Sequence, residues 1–206
     1  MLKENFQYST LILSVVMITL FGLQHFIPEF TDSYKLEKDI LQRPWILVTN
    51  IFLHANIVHL LLNLFSLVLF GVILENFIGT KKFLLLFFGS GIISSFIASF
   101  FYTSALGASG AIFGILGALA VIKPKMMIWA YGMPMPMIIG AIVYLVINIF
   151  GAYYQLGNTG YIAHLSGLAI GAVFGFRLRT FNKKIKENFS VIDKELDNYE
   201  KNFKLR

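Results

Sequence analysis

The chain of 206 residues contains no cysteine. That absence excludes disulfide bonds, thiol catalysis, and zinc or iron–sulfur sites with cysteine ligands. Charged residues are also scarce, at 14% of the chain against about 25% in a typical soluble domain. Hydrophobic residues make up 57%, more than one soluble core of this size can bury. The composition therefore excludes an ordinary cytosolic domain and a disordered protein, and it indicates a polytopic membrane protein.

Long apolar stretches are abundant, and a spanning helix needs about 20 mostly apolar residues. Six candidates run from about Thr10 to Ile27, Ile57 to Leu74, Phe83 to Tyr102, Ala108 to Ile122, Met126 to Phe150, and Gly160 to Phe176. The fourth is short, and the fifth is interrupted by Pro134 and Pro136. The predicted fold class is an all-α bundle of six transmembrane helices. We expect this domain to occupy residues 1–179, with a polar loop at 28–56 that lies partly in the outer leaflet.

Basic residues cluster in alternate connections between these stretches. They are Lys81, Lys82, Lys123, Lys125, Arg177, Arg179, Lys183, Lys184 and Lys186. The connections at 103–107 and 151–159 carry no charge. The positive-inside rule then predicts a multi-pass protein of the cell membrane with both termini in the cytoplasm. The net charge of +6 is explained by loops at an anionic membrane face, so we expect no nucleic-acid partner.

Residues 180–206 are predicted to form a basic, amphipathic helical tail in the cytoplasm. Apolar residues recur there every three or four positions from Phe181 to Phe203, which is typical of one helix face. Three arrangements fit this pattern. The helix packs on the inner loops, pairs with a second copy as a short coiled coil, or lies on the inner leaflet with its basic residues near anionic lipid.

Three polar residues fall at one depth in three different stretches. Ser109, His164 and Asn63 each lie 12 to 14 residues from the charged residue that marks the inner end of their stretch. At about 1.5 Å per residue, all three lie roughly 18–21 Å above the inner boundary. His59, one turn from Asn63 on the same helical face, lies roughly 24 Å above it. Because polar side chains in a membrane are costly, this level is a candidate functional site.

The residues around Ser109 favour a reaction there. Ser109 falls in the first turn of its helix, where free N–H groups and the helix dipole favour a developing negative charge. Gly107 and Gly110 flank it, so backbone can approach a substrate closely. Glycines also repeat along two helices and are predicted to let those helices pack closely. They are Gly110, Gly114 and Gly117 in the fourth stretch and Gly167, Gly171 and Gly175 in the sixth.

Other intramembrane chemistries lack their residues. No aspartate lies inside any apolar stretch, so an aspartyl protease is excluded, and no HExxH pair is present for a zinc protease. The four histidines do not have a convincing metal-ligand spacing. We therefore expect neither a metal nor another cofactor.

Three motifs resemble those of the rhomboid family of intramembrane serine proteases. Residues 107–110, Gly-Ala-Ser-Gly, are similar to its GxSG motif, and residues 163–171 are similar to its AHxxGxxxG motif. His54, His59 and Asn63 match the spacing of its HxxxxHxxxN motif. Trp45 and Glu75 also stand where the family usually has these residues. Two positions depart from the pattern: Ile46 follows Trp45 where the family commonly has arginine, and Phe113 stands where some members have tyrosine.

The resemblance implies a role for each of these residues. Ser109 is the nucleophile and His164 the general base, with no carboxylate, so the pair is a dyad. Asn63, His59 and the backbone N–H of Ser109 form the oxyanion hole. The implied supporting residues are Gly107, Gly110, Phe113, His54, Trp45 and Glu75.

The resemblance also implies the substrates, which are single-span membrane proteins with small residues near the cut, reached from the outer face of the membrane. Two other interpretations stay open. A catalytically silent member of the family would bind membrane clients without cutting them. A small transporter would use an intramembrane histidine as a proton relay. Reaction of a serine-directed fluorophosphonate distinguishes the protease from both.

Overall fold

The computed structural model describes residues 8–130 and 132–180. The amphipathic tail predicted for 180–206 therefore lies, from residue 181 onward, outside the described residues. Eight α-helices are found in the described ranges, together with a short 3₁₀ helix at Asn50–Phe52. In chain order they are α1 (Ser9–Phe26), α2 (Phe30–Tyr34), α3 (Ile46–Thr49), α4 (Ile57–Ile78), α5 (Thr80–Ala98), α6 (Ser109–Ile122), α7 (Met137–Tyr154) and α8 (Tyr161–Thr180).

The prediction of an all-α, polytopic membrane protein is confirmed. Five of the described helices, α1, α4, α5, α7 and α8, are long and apolar enough to cross a membrane. The remaining apolar helix, α6, has only 14 residues. Its side chains are buried almost throughout, with Ile115 and Leu119 at 0% exposure. This short helix is therefore the centre of the bundle, and the longer helices surround it.

The predicted fifth span, Met126 to Phe150, is wrong in its first part. This part contains the last two of the four short strands in the described residues, β3 (Met127–Ala130) and β4 (Met133–Pro136), which pair antiparallel. Helix α7 begins only at Met137. Pro134 and Pro136 have no N–H to donate within a helix, and Pro136 has the extended backbone of a helix N-cap. Nearly every residue of this segment is apolar, so hydropathy does not separate a helix from a hairpin that alternates buried and exposed side chains.

Close backbone packing holds α6 between two neighbours. A Cβ added at Gly110 or Gly114 would collide with Ser94 or Ser90 of α5. On the other side of α6, a Cβ added to α8 would meet backbone carbonyl oxygens of α6. The three positions on α8 are Gly167, Gly171 and Gly175, and the oxygens belong to Gly110, Gly114 and Ala118. Only glycine permits helices to approach so closely, and this approach fixes the height of α6 relative to α8.

A buried carboxyl group joins the start of α1 to the end of α4. Glu75 is 0% exposed, and its carboxylate oxygens accept hydrogen bonds from the backbone N–H groups of Ser9 and Thr10 at 3.2 and 3.0 Å. The hydroxyls of Thr10 and Thr80 donate to the same carboxylate at 2.6 and 3.0 Å. Glu75 therefore satisfies the first N–H groups of α1 in place of a local capping residue.

The long connection at 28–56 is tied to the loop that precedes α6. Strand β1 (Leu36–Glu37) pairs antiparallel with β2 (Ser104–Ala105). The Gly107 N–H also donates to the Asn50 carbonyl at 2.8 Å. Arg43 forms ion pairs with Glu37 and Asp39 inside the connection. These links hold the chain immediately before Ser109 against the residues that lead into α4.

Candidate active site

Ser109 and His164 are in hydrogen-bond contact. The Oγ of Ser109, the first residue of α6, is 2.8 Å from Nε2 of His164 in the first turn of α8. Both residues are half-buried. The contact follows from the glycine packing described above, because Gly110 and Gly167, each close to one partner in sequence, bring the two backbones together. A hydroxyl with an imidazole at this distance has the geometry of a nucleophile and its base.

Asn148 of α7 contacts the other nitrogen of the same imidazole. Its Oδ1 is 2.8 Å from Nδ1 of His164, and the residue is 3% exposed. Asn148 lies outside the three sequence motifs and was not predicted as a site residue. The signal that could have identified it is an amide within an otherwise apolar membrane helix, since polar side chains in a membrane are costly and mark functional sites.

Phe113 covers one face of the imidazole. The rings of Phe113 and His164 are parallel within 7°, with centroids 4.3 Å apart. Phe113 lies one turn after Ser109 on α6, so it packs beneath the same imidazole that the serine contacts. Tyr144 of α7 packs edge-on against Phe113 at 5.6 Å. The imidazole is thus fixed by contacts from α6 and α7 as well as by its own helix.

His59 lies against the glycine that precedes the serine. Gly107 has φ 127°, and a Cβ there would lie 2.7 Å from Cε1 and 2.9 Å from Nε2 of His59. A side chain at 107 would therefore be strained and would also displace the imidazole. The His59 ring accepts a hydrogen bond from the Ala55 N–H at 3.4 Å through Nδ1. That contact leaves Nε2 as the N–H that faces the Gly107 turn.

Asn63 lies one turn further along α4. It is 5% exposed, and its Nδ2 donates to the carbonyl of His59 at 2.8 Å. One hydrogen of that amide is thereby used within the helix, and the second is available for another acceptor. Asn56 starts this helix by accepting from the His59 N–H at 2.9 Å. The helix start and its first two turns are thus fixed around His59.

His54 and Trp45 belong to the connection and not to the Ser109–His164 contact. His54 is 1% exposed and meets His59 edge-on, with ring centroids 5.1 Å apart. Its ring nitrogens have no hydrogen-bond partner among the described residues, and burial lowers the pKa of its imidazole to about 4. Gln24 of α1 holds its backbone through two hydrogen bonds. Trp45 is 50% exposed, directly before α3.

Glu75 lies away from this site. It is near the end of α4, whereas His59 is near the start, and 16 residues of helix separate them by roughly 24 Å. In the part of the chain that the structure describes, no group of three or more acidic, histidine or cysteine side chains is placed to hold a metal ion. The chemistry that this arrangement itself supports is attack by a serine hydroxyl with an imidazole as proton acceptor.

Comparison with known proteins gives a consistent family. The Rhomboid domain model matches residues 41–181, more than half of the chain. Rhomboid protease GluP of Bacillus subtilis (strain 168) is 40% identical over 130 residues, which are 60% of this chain and 24% of that protein. Putative rhomboid protease YdcA of the same strain is 34% identical over 138 residues, 64% of this chain and 66% of that protein.

A eukaryotic relative matches over a longer region. Rhomboid protein 1, mitochondrial, of Saccharomyces cerevisiae is 27% identical over 184 residues, 84% of this chain and 53% of that protein. The chain therefore spans less than two thirds of the length of each of these three relatives.

Proposed function

The chain belongs to the rhomboid family, and from that premise we propose that it is an intramembrane serine endopeptidase that cuts membrane-protein substrates with Ser109 and His164. The observation that carries the proposal is the 2.8 Å contact between Ser109 Oγ and His164 Nε2 at the start of a buried helix. The protease names of relatives such as GluP and YdcA support it.

In the proposed reaction, the Ser109 hydroxyl attacks the carbonyl carbon of the substrate peptide bond while His164 Nε2 accepts its proton. The C–N bond then breaks, and the leaving amine takes that proton from His164. A water molecule hydrolyses the resulting ester with the same imidazole as base. The free enzyme with its serine hydroxyl is thereby restored.

The negative charge on the attacked oxygen is stabilised by three donors in this proposal. They are the backbone N–H of Ser109, the side-chain amide of Asn63 and the Nε2–H of His59. The N–H lies at an open helix N-terminus, where the dipole favours negative charge. The position of His59 beside Gly107 and the burial of Asn63 support these assignments.

The proposed substrates are single-span membrane proteins with small residues near the cut. A peptide bond within a helix is shielded by its own turn, so the substrate must unwind locally before Ser109 reaches it. Among small residues, glycine and serine lower helix stability at that point, and all small side chains leave more room for the attacking hydroxyl.

We propose that both termini face the cytoplasm, that the protein resides in the cell membrane, and that the site opens toward the outer face. The chain has no cysteine, so single cysteines introduced into whole cells report orientation directly. A cysteine at Ser104 or Asn158 should react with a membrane-impermeant maleimide in intact cells. One at Lys81 or Lys123 should react only after the membrane is opened. The reverse pattern would overturn the orientation.

The test of the catalytic proposal is fluorophosphonate labelling of the purified protein, together with cleavage of a single-span substrate in detergent and in vesicles. We expect labelling and cleavage in the wild type. Both should be lost in Ser109→Ala, and at least cleavage in His164→Ala, with the melting temperatures of both variants preserved. A wild-type protein that binds the substrate but is neither labelled nor active would instead be a client-binding member of the family.

A further inference from the structure

The proposed dyad has a third polar neighbour on a different helix. Resting on the proposed function above, we propose that Asn148 is a positioning residue, which accepts a hydrogen bond from Nδ1–H of His164 and so makes a Ser–His–Asn triad. The carrying observation is the 2.8 Å distance from Asn148 Oδ1 to His164 Nδ1, opposite the nitrogen that contacts Ser109. Asn148 does not contact the reacting atoms.

The direction of the Asn148 amide is fixed by its second contact. Its Nδ2 is 2.8 Å from the Tyr144 carbonyl oxygen one turn earlier in α7. A carbonyl oxygen only accepts hydrogen bonds, so the group that faces Tyr144 must be the NH₂. The oxygen of the amide therefore faces His164. A flipped amide would place its oxygen against the Tyr144 carbonyl oxygen, where neither atom could donate, so this contact alone assigns the orientation.

The orientation of the amide determines which nitrogen of His164 carries the proton. Because Oδ1 only accepts, Nδ1 must donate and carries the proton of the neutral ring. Nε2 is then unprotonated and can accept the proton of the Ser109 hydroxyl. The other neutral form would place a proton on Nε2 and make His164 useless as a base. In a Ser–His–Asp triad, replacing the aspartate by asparagine can turn the amide NH₂ toward the histidine. The histidine then adopts the wrong tautomer, and kcat falls about 10⁴-fold.

Several groups face His164, and none supplies this acceptor in place of Asn148. On α6 it meets Ser109 and the apolar ring of Phe113, and on its own helix the ring of Tyr161 lies 6.4 Å away. His59 on α4 is within electrostatic range. In the described part of the chain, no carboxylate is hydrogen-bonded to either ring nitrogen. Asn148 is thus the neutral substitute for the acid of an acid–histidine–serine triad.

The two supports of the imidazole from α7 lie one turn apart. Tyr144 packs against Phe113, which stacks on the imidazole, and Asn148 accepts from its Nδ1. A displacement of α7 would therefore break the Asn148–His164 hydrogen bond and, at the same time, remove the Tyr144 ring that packs against Phe113. We infer that the triad is complete only while α7 is packed against the site.

The test compares three variants of the full chain for cleavage and for the protonation state of His164. Asn148→Leu keeps the side-chain size but removes the acceptor. Asn148→Asp keeps an acceptor that faces His164. Ser166→Ala, a matched control, removes a hydroxyl that bonds only within its own helix. The chain has four histidines, so ¹⁵N spectra in detergent are simple, and His164→Gln identifies the His164 signals.

We expect wild type and Ser166→Ala to show an Nδ1–H tautomer and full activity. Asn148→Leu should lower kcat by about 10²- to 10⁴-fold, with KM within about threefold, and should show Nε2–H signals. In Asn148→Asp the rate should largely return. The acidic limb of its pH–rate profile should move up by about one to two pH units, because the carboxylate favours the imidazolium.

The results distinguish failure of the positioning role of Asn148 from failure of the proposed function. An Asn148→Leu variant with the wild-type rate overturns the proposal, as does one that is slow but keeps the Nδ1–H tautomer. If Asn148→Leu fails to fold, an unshifted acidic limb in Asn148→Asp overturns it. A wild-type protein that neither cuts a substrate nor reacts with a fluorophosphonate would refute the proposed function itself. A wild type that does both, with Asn148→Leu equal to it, would refute the positioning role alone.

Discussion

The imidazole of His164 lies flat on the ring of Phe113, with centroids 4.3 Å apart and planes that differ by 7°. This stacking fixes the plane of the imidazole, whereas the contacts at its two nitrogens fix its rotation within that plane. Together they leave Nε2 directed at Ser109 before any substrate binds. Such preorganisation lowers the reorganisation needed at the moment of reaction.

Replacing Phe113 should therefore slow the reaction without abolishing it. An aromatic pair contributes about 0.5–1.5 kcal/mol beyond its buried area, so Phe113→Leu should lower kcat by about 2- to 12-fold. Phe113→Tyr keeps the ring and should retain most of the activity. Steady-state cleavage of one substrate by the three proteins checks this. A Phe113→Leu variant as slow as His164→Ala would mean that the ring does more than orient the base.

Removal of the Asn63 amide should slow cleavage by roughly 10- to 1000-fold, the effect of losing one oxyanion donor. The buried amide already gives one hydrogen to the His59 carbonyl, and we expect the other to reach the oxyanion. The comparison is Asn63→Ala with Asn76→Ala, which removes an exposed amide from the same helix. The loss should fall on kcat. An unchanged kcat would assign the oxyanion to His59 and the backbone N–H alone.

Much of this architecture can be predicted from the sequence, because hydropathy and glycine spacing depend on local residue types. Ser109, His164 and Asn63 stand out as polar residues at one depth. The β3–β4 hairpin could not be predicted in this way. Its residues are as apolar as those of a membrane helix, and the helix that follows Pro136 continues the same hydropathy. Strand pairing depends on which backbone groups meet, and hydropathy carries no information about that.

Local sequence patterns also could not predict the contacts between segments that are distant in the chain. Asn148 lies 16 residues before His164, and nothing in that spacing indicates that the amide faces the imidazole. Likewise, Glu75 stands out as an acidic residue at the end of an apolar stretch, which suits the membrane boundary. Its actual partners, Thr10 and Thr80, follow only from how α1 packs against α4 and how α5 begins.

Loss of the Glu75 carboxyl group should destabilise the fold more than the chemistry. Glu75→Ala would leave the first N–H groups of α1 and two buried hydroxyls without their shared acceptor. Breaking such a buried network costs about 2–4 kcal/mol. Thermal melting in detergent should show a clear decrease, compared with no change for Lys81→Ala, an exposed charge at the same end of the bundle. Equal melting temperatures would mean that the carboxyl group is not an anchor.

Acid should destabilise the protein through His54. Its pKa falls to about 4 because burial disfavours the imidazolium, whereas in the unfolded chain it is about 6.5. The unfolded state therefore binds the proton more readily. The effect of His54 on the free energy of unfolding is absent above about pH 6.5 and grows as pH falls below that value. Near pH 4 it reaches a loss of about 3 kcal/mol. The melting temperature should depend less on pH across this range for His54→Gln than for wild type or for the exposed His25→Gln control. Parallel curves for all three would assign the acid sensitivity to other groups.

We expect a substrate helix to reach Ser109 by way of α7. The N-terminal end of α7 is anchored, since the N–H groups of Met137 and Ile138 donate to the Met126 and Pro124 carbonyls and Gly140 lies against Ile128. Its C-terminal half carries exposed aromatic side chains at Phe150, Tyr153 and Tyr154. We predict that this half pivots away from α4 to admit the substrate and then returns.

Cross-linking the start of α4 to the end of α7 tests that movement. In the cysteine-free chain, Val58→Cys and Tyr153→Cys can be joined by bifunctional thiol reagents of increasing length. A short linker should suppress cleavage of a membrane substrate by at least about tenfold, and a long linker should restore it. The control joins Glu37→Cys to Ser104→Cys, which are paired across β1 and β2 and should not separate during entry.

Labelling by a small fluorophosphonate separates access from chemistry in the same cross-linked sample. If the linker only blocks entry, Asn148 stays against His164, so Ser109 should still react with the small reagent while cleavage of the membrane substrate is lost. Loss of both would mean that the linker distorts the site. Cleavage as fast as in the uncross-linked enzyme would show that the substrate enters elsewhere. Because a pivot of α7 also removes Asn148 from the imidazole, entry and bond cleavage would then be alternate states of one helix, and the triad would be complete only after α7 returns.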